Sequence, residues 1–244
     1  MPIASGVNRG LRWSLSSAGH GYASGRRAAR QMSLIAELIR PGDVMWDVGA
    51  HHGYVTLCAA RRVGAAGEVH AFEPSASNRQ ALRRHVGWNR LHNVTVHDCA
   101  LAAEDGEASF GGRGSSKTMS LGRGEERVQV RRADTLLDRG VIALPTFVKV
   151  DVEGAEEEAI AGAAELLRRF RPRLVVEFNP STARIFHRRT LQGLHGRIAA
   201  HGYEMAFIER PSGSLHPTGG YADLMGYVER QGGVGDVLCT PRAG

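Results

Sequence analysis

Val44-Met45-Trp46-Asp47-Val48-Gly49-Ala50-His51-His52-Gly53-Tyr54 is the stretch whose reading decides the fold. Val44 to Val48 is short, mostly apolar and bounded by glycine on both sides, which reads as a buried strand. Gly49 and Gly53 bracket a tight turn, and Tyr54 to Val63 continues as a helix. The alternation carries on downstream. Glu68–Glu73 reads as a strand, Ser75–Asn89 as a helix and Asn93–Asp98 as a third strand. Phe147–Asp151 is a strand, Ala155–Phe170 a helix, Leu174–Phe178 a strand and Leu191–His201 a helix, with final strands at Tyr203–Glu209 and Gly235–Thr240. Strand and helix alternating over this length mean an α/β fold, a mostly parallel sheet with helices on both faces.

Two stretches depart from the alternation. Residues 106–132 read as a hairpin insertion, with strands Glu107–Phe110 and Arg127–Val130 around a Gly/Ser/Arg tip, followed by a short helix at Thr135–Arg139. Upstream, residues 24–40 are an amphipathic helix with Met32, Ile35, Leu38 and Ile39 on one face, stopped by Pro41-Gly42. The first 23 residues are rich in Gly, Ser and Ala and carry no period. Residues 1–40 are therefore expected to cover a site built by residues 41–244.

The bulk properties narrow the class. A chain of 244 residues, 42% hydrophobic and 23% charged, is enough for one sizeable core. No apolar run approaches the roughly 20 residues that span a bilayer, and the start lacks the apolar core of a secretory signal. A cytoplasmic protein is expected. Cys58, Cys99 and Cys239 stand far apart, unlike a disulfide framework or a zinc knuckle. The net charge of +6 is carried by arginine pairs scattered over separate helices, which reads as solvated surface. A nucleic-acid partner wants one basic face and is disfavoured; an anionic substrate stays open.

In a doubly wound sheet, ligands bind beyond the carboxyl ends of the strands. Glycine in the first such loop allows a tight turn and a close approach to backbone, and the following helix N-terminus offers free N–H groups. A dinucleotide fingerprint has a middle glycine to admit pyrophosphate, but His51 stands there and its side chain would crowd one. S-adenosylmethionine has no pyrophosphate. Glu73, about 20 residues on at the second strand end, is placed to accept hydrogen bonds from two ribose hydroxyls.

Four segments together resemble the FkbM-type methyltransferase family. They are Gly42 to Ala50, Phe72-Glu73-Pro74 with Asn78 and Asn89, Ala100-Leu101 followed by Asp105-Gly106, and Val148-Lys149-Val150-Asp151-Val152-Glu153-Gly154-Ala155-Glu156. The last is the most specific, and Val176-Glu177-Phe178-Asn179-Pro180 matches the next strand end. The likeness runs from Pro41 to about Pro180 and more loosely beyond. His51 and His52 depart from the family's usual Asn and aliphatic residue. The resemblance implies a Rossmann-like class I methyltransferase fold, a seven-stranded sheet with the last strand antiparallel, S-adenosylmethionine as cofactor, and O-methylation of a hydroxyl on a sugar, glycolipid or secondary metabolite.

On that reading Asp47, Gly49, Ala50, His51 and Gly53 hold the methionine end, Glu73 and Pro74 the ribose, and Asp98, Cys99 and Ala100 the adenine. Asp151, Glu153, Glu177 and His52 are the candidate catalytic residues, with Asp151 foremost. Three roles compete for the carboxylates. One of them is a general base; or Asp151, Glu177 and Asn179 hold a magnesium ion that activates the hydroxyl; or Glu153 or Glu177 caps a helix or pairs with Lys149 or an arginine. The expected partners are a small-molecule or saccharide hydroxyl acceptor and a second copy of the chain. A nucleic-acid methyltransferase and a non-catalytic cofactor-binding subunit are the rival functions.

Overall fold

The computed structural model describes residues 1–17, 20–25, 29–111, 120–122, 124–187, 190–210 and 212–242. After a docked N-terminal stretch come α1 (His20–Ala23), α2 (Ala29–Leu38), β1 (Val44–Val48), α3 (Tyr54–Val63), β2 (Glu68–Phe72), α4 (Ala76–Trp88) and β3 (Val94–His97). The insertion follows as β4 (Cys99–Leu101), β5 (Gly106–Gly111), β6 (Ser120–Leu121) and β7 (Glu126–Arg131). Then come α5 (Ala133–Asp138), β8 (Phe147–Val150), α6 (Glu156–Ala161), α7 (Ala164–Arg169), β9 (Arg173–Phe178), α8 (Pro180–His187) and α9 (Gln192–Ala200). The chain closes with β10 (Tyr203–Ile208), β11 (Leu215–Pro217), α10 (Tyr221–Arg230) and β12 (Gly235–Pro241).

The main sheet runs β11-β10-β12-β9-β8-β1-β2-β3. β3, β2, β1, β8 and β9 pair in parallel, and β12 is inserted antiparallel to both β9 and β10. The antiparallel last strand is as the resemblance implies. The eight-stranded sheet adds β11, a short edge strand antiparallel to β10, to the seven expected. The fold is Rossmann-like and α/β. The chain runs outward from β1 to β2 and β3, then returns to β8 on the other side of β1. The switch point therefore lies between β1 and β8, where a ligand crevice opens at the carboxyl ends of the strands.

Side chains alternate between two buried faces. Trp46, Val48, Val148, Val150, Leu174 and Val176 belong to one core, reached by α6, α7, α9 and α10. Met45, Val69, Phe147, Val175 and Leu238 belong to the other, with α2, α3 and the N-terminal residues Ile3 and Trp13. The expected helix face of Met32, Ile35 and Ile39 is buried there.

The helix expected over Ala155–Phe170 is broken into α6 and α7. A Cβ on Gly162 would lie 1.9 Å from the Ala102 carbonyl oxygen, so the backbone of the β4 edge passes over the break. Asp134 then accepts the N–H groups of Glu165 and Leu166, capping α7 from another element. The hairpin insertion is present as β5 and β7, and with β4 and β6 it makes a separate four-stranded sheet. Most of its expected tip, residues 112–119 and 123, lies outside the described residues. All three cysteines are free and buried. Among the described residues no helix is long and apolar enough to cross a membrane.

Candidate active site

The sheet register gathers charge at one place. Asp47 pairs across to Lys149, Lys149 to Val175, Glu177 to Asp236, and Asp236 to Ile208. By the period of two, Asp47, Lys149, Asp151, Glu177, Asp236 and Arg210 all fall on the α3 side of the sheet at its carboxyl end. Lys149 is 4% exposed, and its Nζ lies 3.0 Å from Asp151 Oδ2. Burial pulls the ammonium down, but Asp151 and Asp47 beside it outweigh that and hold its pKa above the usual lysine value. Arg210 donates to Asp236 Oδ2, and Asp236 is 1% exposed. Burial, then the neighbouring Asp151 and Asp236, push the Glu177 carboxyl well above the carboxylate range. One of the three competing readings pairs Lys149 with Glu153 or Glu177; Lys149 holds Asp151 instead, because residues two apart on a strand share a face.

The glycine loop leans against this charge row. Gly49 has φ +86°, and a Cβ there would lie 2.0 Å from the Asp151 carbonyl oxygen. Only glycine lets the loops after β1 and β8 touch backbone to backbone. Gly49 and Ala50 N–H both donate to the Phe72 carbonyl, and His51 N–H donates to Glu73 Oε2 at 2.7 Å. Glu73 Oε1 takes Ser75 N–H at 2.9 Å and Asn78 Nδ2 at 3.2 Å. Burial raises the Glu73 pKa, and these three donors oppose the rise. A carboxylate oxygen has two lone pairs, so Oε2 keeps one in hand. Pro74 lies just beyond β2, and the carbonyls of Glu73 and Pro74 are both held by the Arg79 guanidinium.

Asp47 is fully buried, with Oδ2 on Thr56 Oγ1 at 2.6 Å and Oδ1 without a partner. Burial raises its pKa, and Lys149 opposes that. An orphaned buried acceptor beside the glycine loop suits a cationic ligand group. His52 Nδ1 is a second buried atom without a partner, and burial pulls the His52 pKa down. Asp98 is exposed at the break between β3 and β4, and Cys99 and Ala100 are buried in β4.

The loop after β8 is strained where the carboxylates stand. His51 (φ 50°) and Glu153 (φ 55°) are two of four non-glycine residues with positive φ among the described residues. Strain of this kind collects at functional sites. Glu156, 1% exposed, accepts the N–H groups of Val152 and Gly154 and folds the loop back on itself. Burial raises Glu153 and Glu156 to about 7; Asp151 and Glu156 add to the rise at Glu153.

Asp151, Glu177 and Asn179 fit the expected magnesium ion poorly. Lys149 sits on Asp151, and the Asn179 carbonyl oxygen takes Thr182 N–H at 3.2 Å while its amide nitrogen faces Glu177 Oε2. Among the described residues no three or more His, Cys, Asp or Glu side chains gather to hold a metal ion. Sequence reasoning missed Glu156, Asp236 and Arg210. The signal for Asp236 was an acid opening an antiparallel strand, which brings it to the carboxyl end of its parallel neighbours.

Comparison with known proteins agrees with this architecture. The family described as the Methyltransferase FkbM domain matches residues 47–205. Hexuronic acid methyltransferase AglP of Haloferax volcanii is 28% identical over 142 residues, covering 55% of this chain and 56% of that protein. 31-O-demethyl-FK506 methyltransferase FkbM of Streptomyces tacrolimicus is 27% identical over 164 residues, covering 52% of this chain and 62% of that protein. The chain thus spans about three fifths of the length of these curated relatives. The crystal structure of Methyltransferase FkbM from Methylobacillus flagellatus KT superposes with a TM-score of 0.52 at 17% identity, over 95% of this chain and 62% of that one. A SAM-dependent methyltransferase from Aquifex aeolicus gives 0.51 at 12% identity, over 90% and 94%. At those identities the structures speak for the fold alone, while the family match covers more than half of the sequence. The chain belongs to the FkbM methyltransferase family.

Proposed function

We propose that the chain is an S-adenosylmethionine-dependent O-methyltransferase acting on a hydroxyl of a saccharide or another polyhydroxylated small molecule. One observation carries the reading: the Gly49 backbone rests on the Asp151 carbonyl. A single loop thereby joins the ribose-type carboxylate Glu73 to the acid row of Asp151, Glu177 and Asp236. The name 31-O-demethyl-FK506 methyltransferase supports an oxygen acceptor, and the name hexuronic acid methyltransferase supports a saccharide.

Bound S-adenosylmethionine supplies a methyl group already activated by a sulfonium. Glu73 Oε2 accepts one ribose hydroxyl on its spare lone pair. Asp47 Oδ1, with no internal donor, faces the cationic end. Asp98 lies at the adenine side with Cys99 and Ala100 behind it, and His52 flanks the loop. Asp151 is held by Lys149 and orients the acceptor. Glu153, partly buried in the loop after β8 and raised to about 7, takes the hydroxyl proton. A base poised near the working pH combines a deprotonated form with enough proton affinity. The residues present do not fit a magnesium ion, so no step runs through one.

The test is transfer of a radiolabelled methyl group from S-adenosylmethionine to a panel of neutral sugars, uronic acids and polyols. Label in a base-stable methyl ether on a hydroxyl oxygen of one of them supports the reading, and label in a base-labile carboxylate ester contradicts it. Label on nitrogen or in nucleic acid, or no transfer to any hydroxyl, contradicts it.

A further inference from the structure

The N-terminal residues reach the glycine loop through one buried histidine. His85, on α4, is fully buried, and both its ring nitrogens are engaged. Nδ1 donates to the His52 carbonyl at 2.8 Å, since a carbonyl can only accept. Nε2 accepts Ser14 N–H at 3.1 Å, since a backbone N–H can only donate. Together these contacts fix the neutral Nδ1–H tautomer. Trp13, also fully buried, stacks on the His85 ring at 4.0 Å and 17°. The same stretch grips both helices that flank the loop. Asn8 Nδ2 donates to the Tyr54 carbonyl at 2.7 Å, and Arg12 and Asn89 exchange two hydrogen bonds at 2.7 and 2.9 Å. Asn8 is fully buried, and Trp13 meets Tyr54 edge-on at 5.6 Å.

We propose that His85 is a positioning residue for the His51–Gly53 loop, holding it through the His52 carbonyl, while Trp13 and Ser14 hold His85 in the tautomer that can do so. The loop needs such an outside hold. His51 stands at φ 50°, a conformation that an L side chain leaves unless its neighbours impose it. Its own N–H is spent on Glu73, so the loop carbonyl at His52 is the point where another element can take hold. The consequence for donor binding rests on the function proposed above; the hold on the loop does not.

Two amide substitutions separate the two bonds. The amide nitrogen of asparagine falls near the Nδ1 position, and glutamine can place its amide oxygen near Nε2. His85→Asn keeps a donor for the His52 carbonyl and gives up Ser14. His85→Gln offers an acceptor to Ser14 and gives up His52. Hydrogen exchange of the backbone amides reads the loop directly, and calorimetry with S-adenosylmethionine reads the donor. In His85→Gln the amides of His51 to Tyr54 exchange about tenfold faster and the Kd rises about tenfold, the cost of one hydrogen bond. In His85→Asn the Ser14 amide is freed, while loop protection and Kd stay within about threefold of wild type. Equal loosening of the loop in both variants, or none in His85→Gln, overturns the proposal. Wild-type protein that binds no S-adenosylmethionine defeats the donor reading, and loop exchange still decides the role of His85. If neither variant folds, the ring-nitrogen spectrum of wild-type protein labelled with 15N-histidine is decisive: Nδ1–H at His85 agrees, and Nε2–H overturns.

Discussion

Gly49→Ala tests the contact on which the site is built. The residue stands at φ +86°, where an L side chain costs about 1–2 kcal/mol. The new Cβ would lie 2.0 Å from the Asp151 carbonyl oxygen and 2.9 Å from its carbonyl carbon. Both neighbours are backbone, so one loop must move by about 1 Å, and overpacking of this kind costs about 1–3 kcal/mol. The sum is roughly 2–5 kcal/mol of stability. Gly42→Ala is the matched control: φ is +82°, and a Cβ there meets no heavy atom within 4 Å. It should lose only about 1–2 kcal/mol. Urea unfolding of both variants at equal m-value measures the difference, and S-adenosylmethionine titration should show weaker binding for Gly49→Ala alone. If Gly49→Ala unfolds at the same urea midpoint as Gly42→Ala, the two loops are not in backbone contact and the reasoning fails.

Two further predictions concern the loop after β8. Glu153→Gln should lower kcat by about 10²–10⁴ with donor affinity within about threefold of wild type. With the Glu153 carboxyl near 7, wild-type kcat should rise as pH passes through that value and level off above it, and a flat wild-type profile would remove Glu153 from the role. Glu156, raised by burial from 4.5 to about 7, binds its proton more tightly folded than unfolded. Its stabilising contribution is complete below the unfolded value and is lost as pH rises through the folded one. Glu156→Gln stays neutral throughout, so its urea midpoint should gain on wild type between about pH 4.5 and pH 7 and hold steady above; a constant gap would contradict the burial argument.

Much of the fold was legible because its central strands are buried on both faces and announce themselves. Val44–Val48 and Tyr54–Val63 stand in the structure at the boundaries the sequence indicates, since glycine punctuates each end. The break at Gly162 was not legible. An interior glycine is tolerable in a helix, and only the Ala102 backbone crossing over it and the Asp134 cap reveal why the helix stops. β11 has three residues at a sheet edge, too few for a period. The glycine loop, Glu73 and the β8 acids were visible as strand-end residues. The charge row was not, because Asp236 and Arg210 come from strands whose register the sequence leaves open until β12 is known to lie between β9 and β10. The partner of Lys149 was within reach: Lys149 and Asp151 are two apart, and strand alternation alone puts them on one face.

Calorimetric titration of wild type and Glu73→Ala with S-adenosylmethionine decides whether this loop and Glu73 hold the methyl donor. The variant removes the carboxylate proposed to meet the ribose and leaves the N–H groups of His51 and Ser75 without an acceptor. Charge-assisted hydrogen bonds of this kind are worth about 1.5–3 kcal/mol each before relaxation, so affinity should fall by roughly 2–4 kcal/mol. Saturable one-site binding to wild type and a Kd at least about 30-fold weaker for a folded Glu73→Ala variant are the expected results. No binding to wild type, or equal affinity in the two proteins, would contradict a donor site at this loop and Glu73.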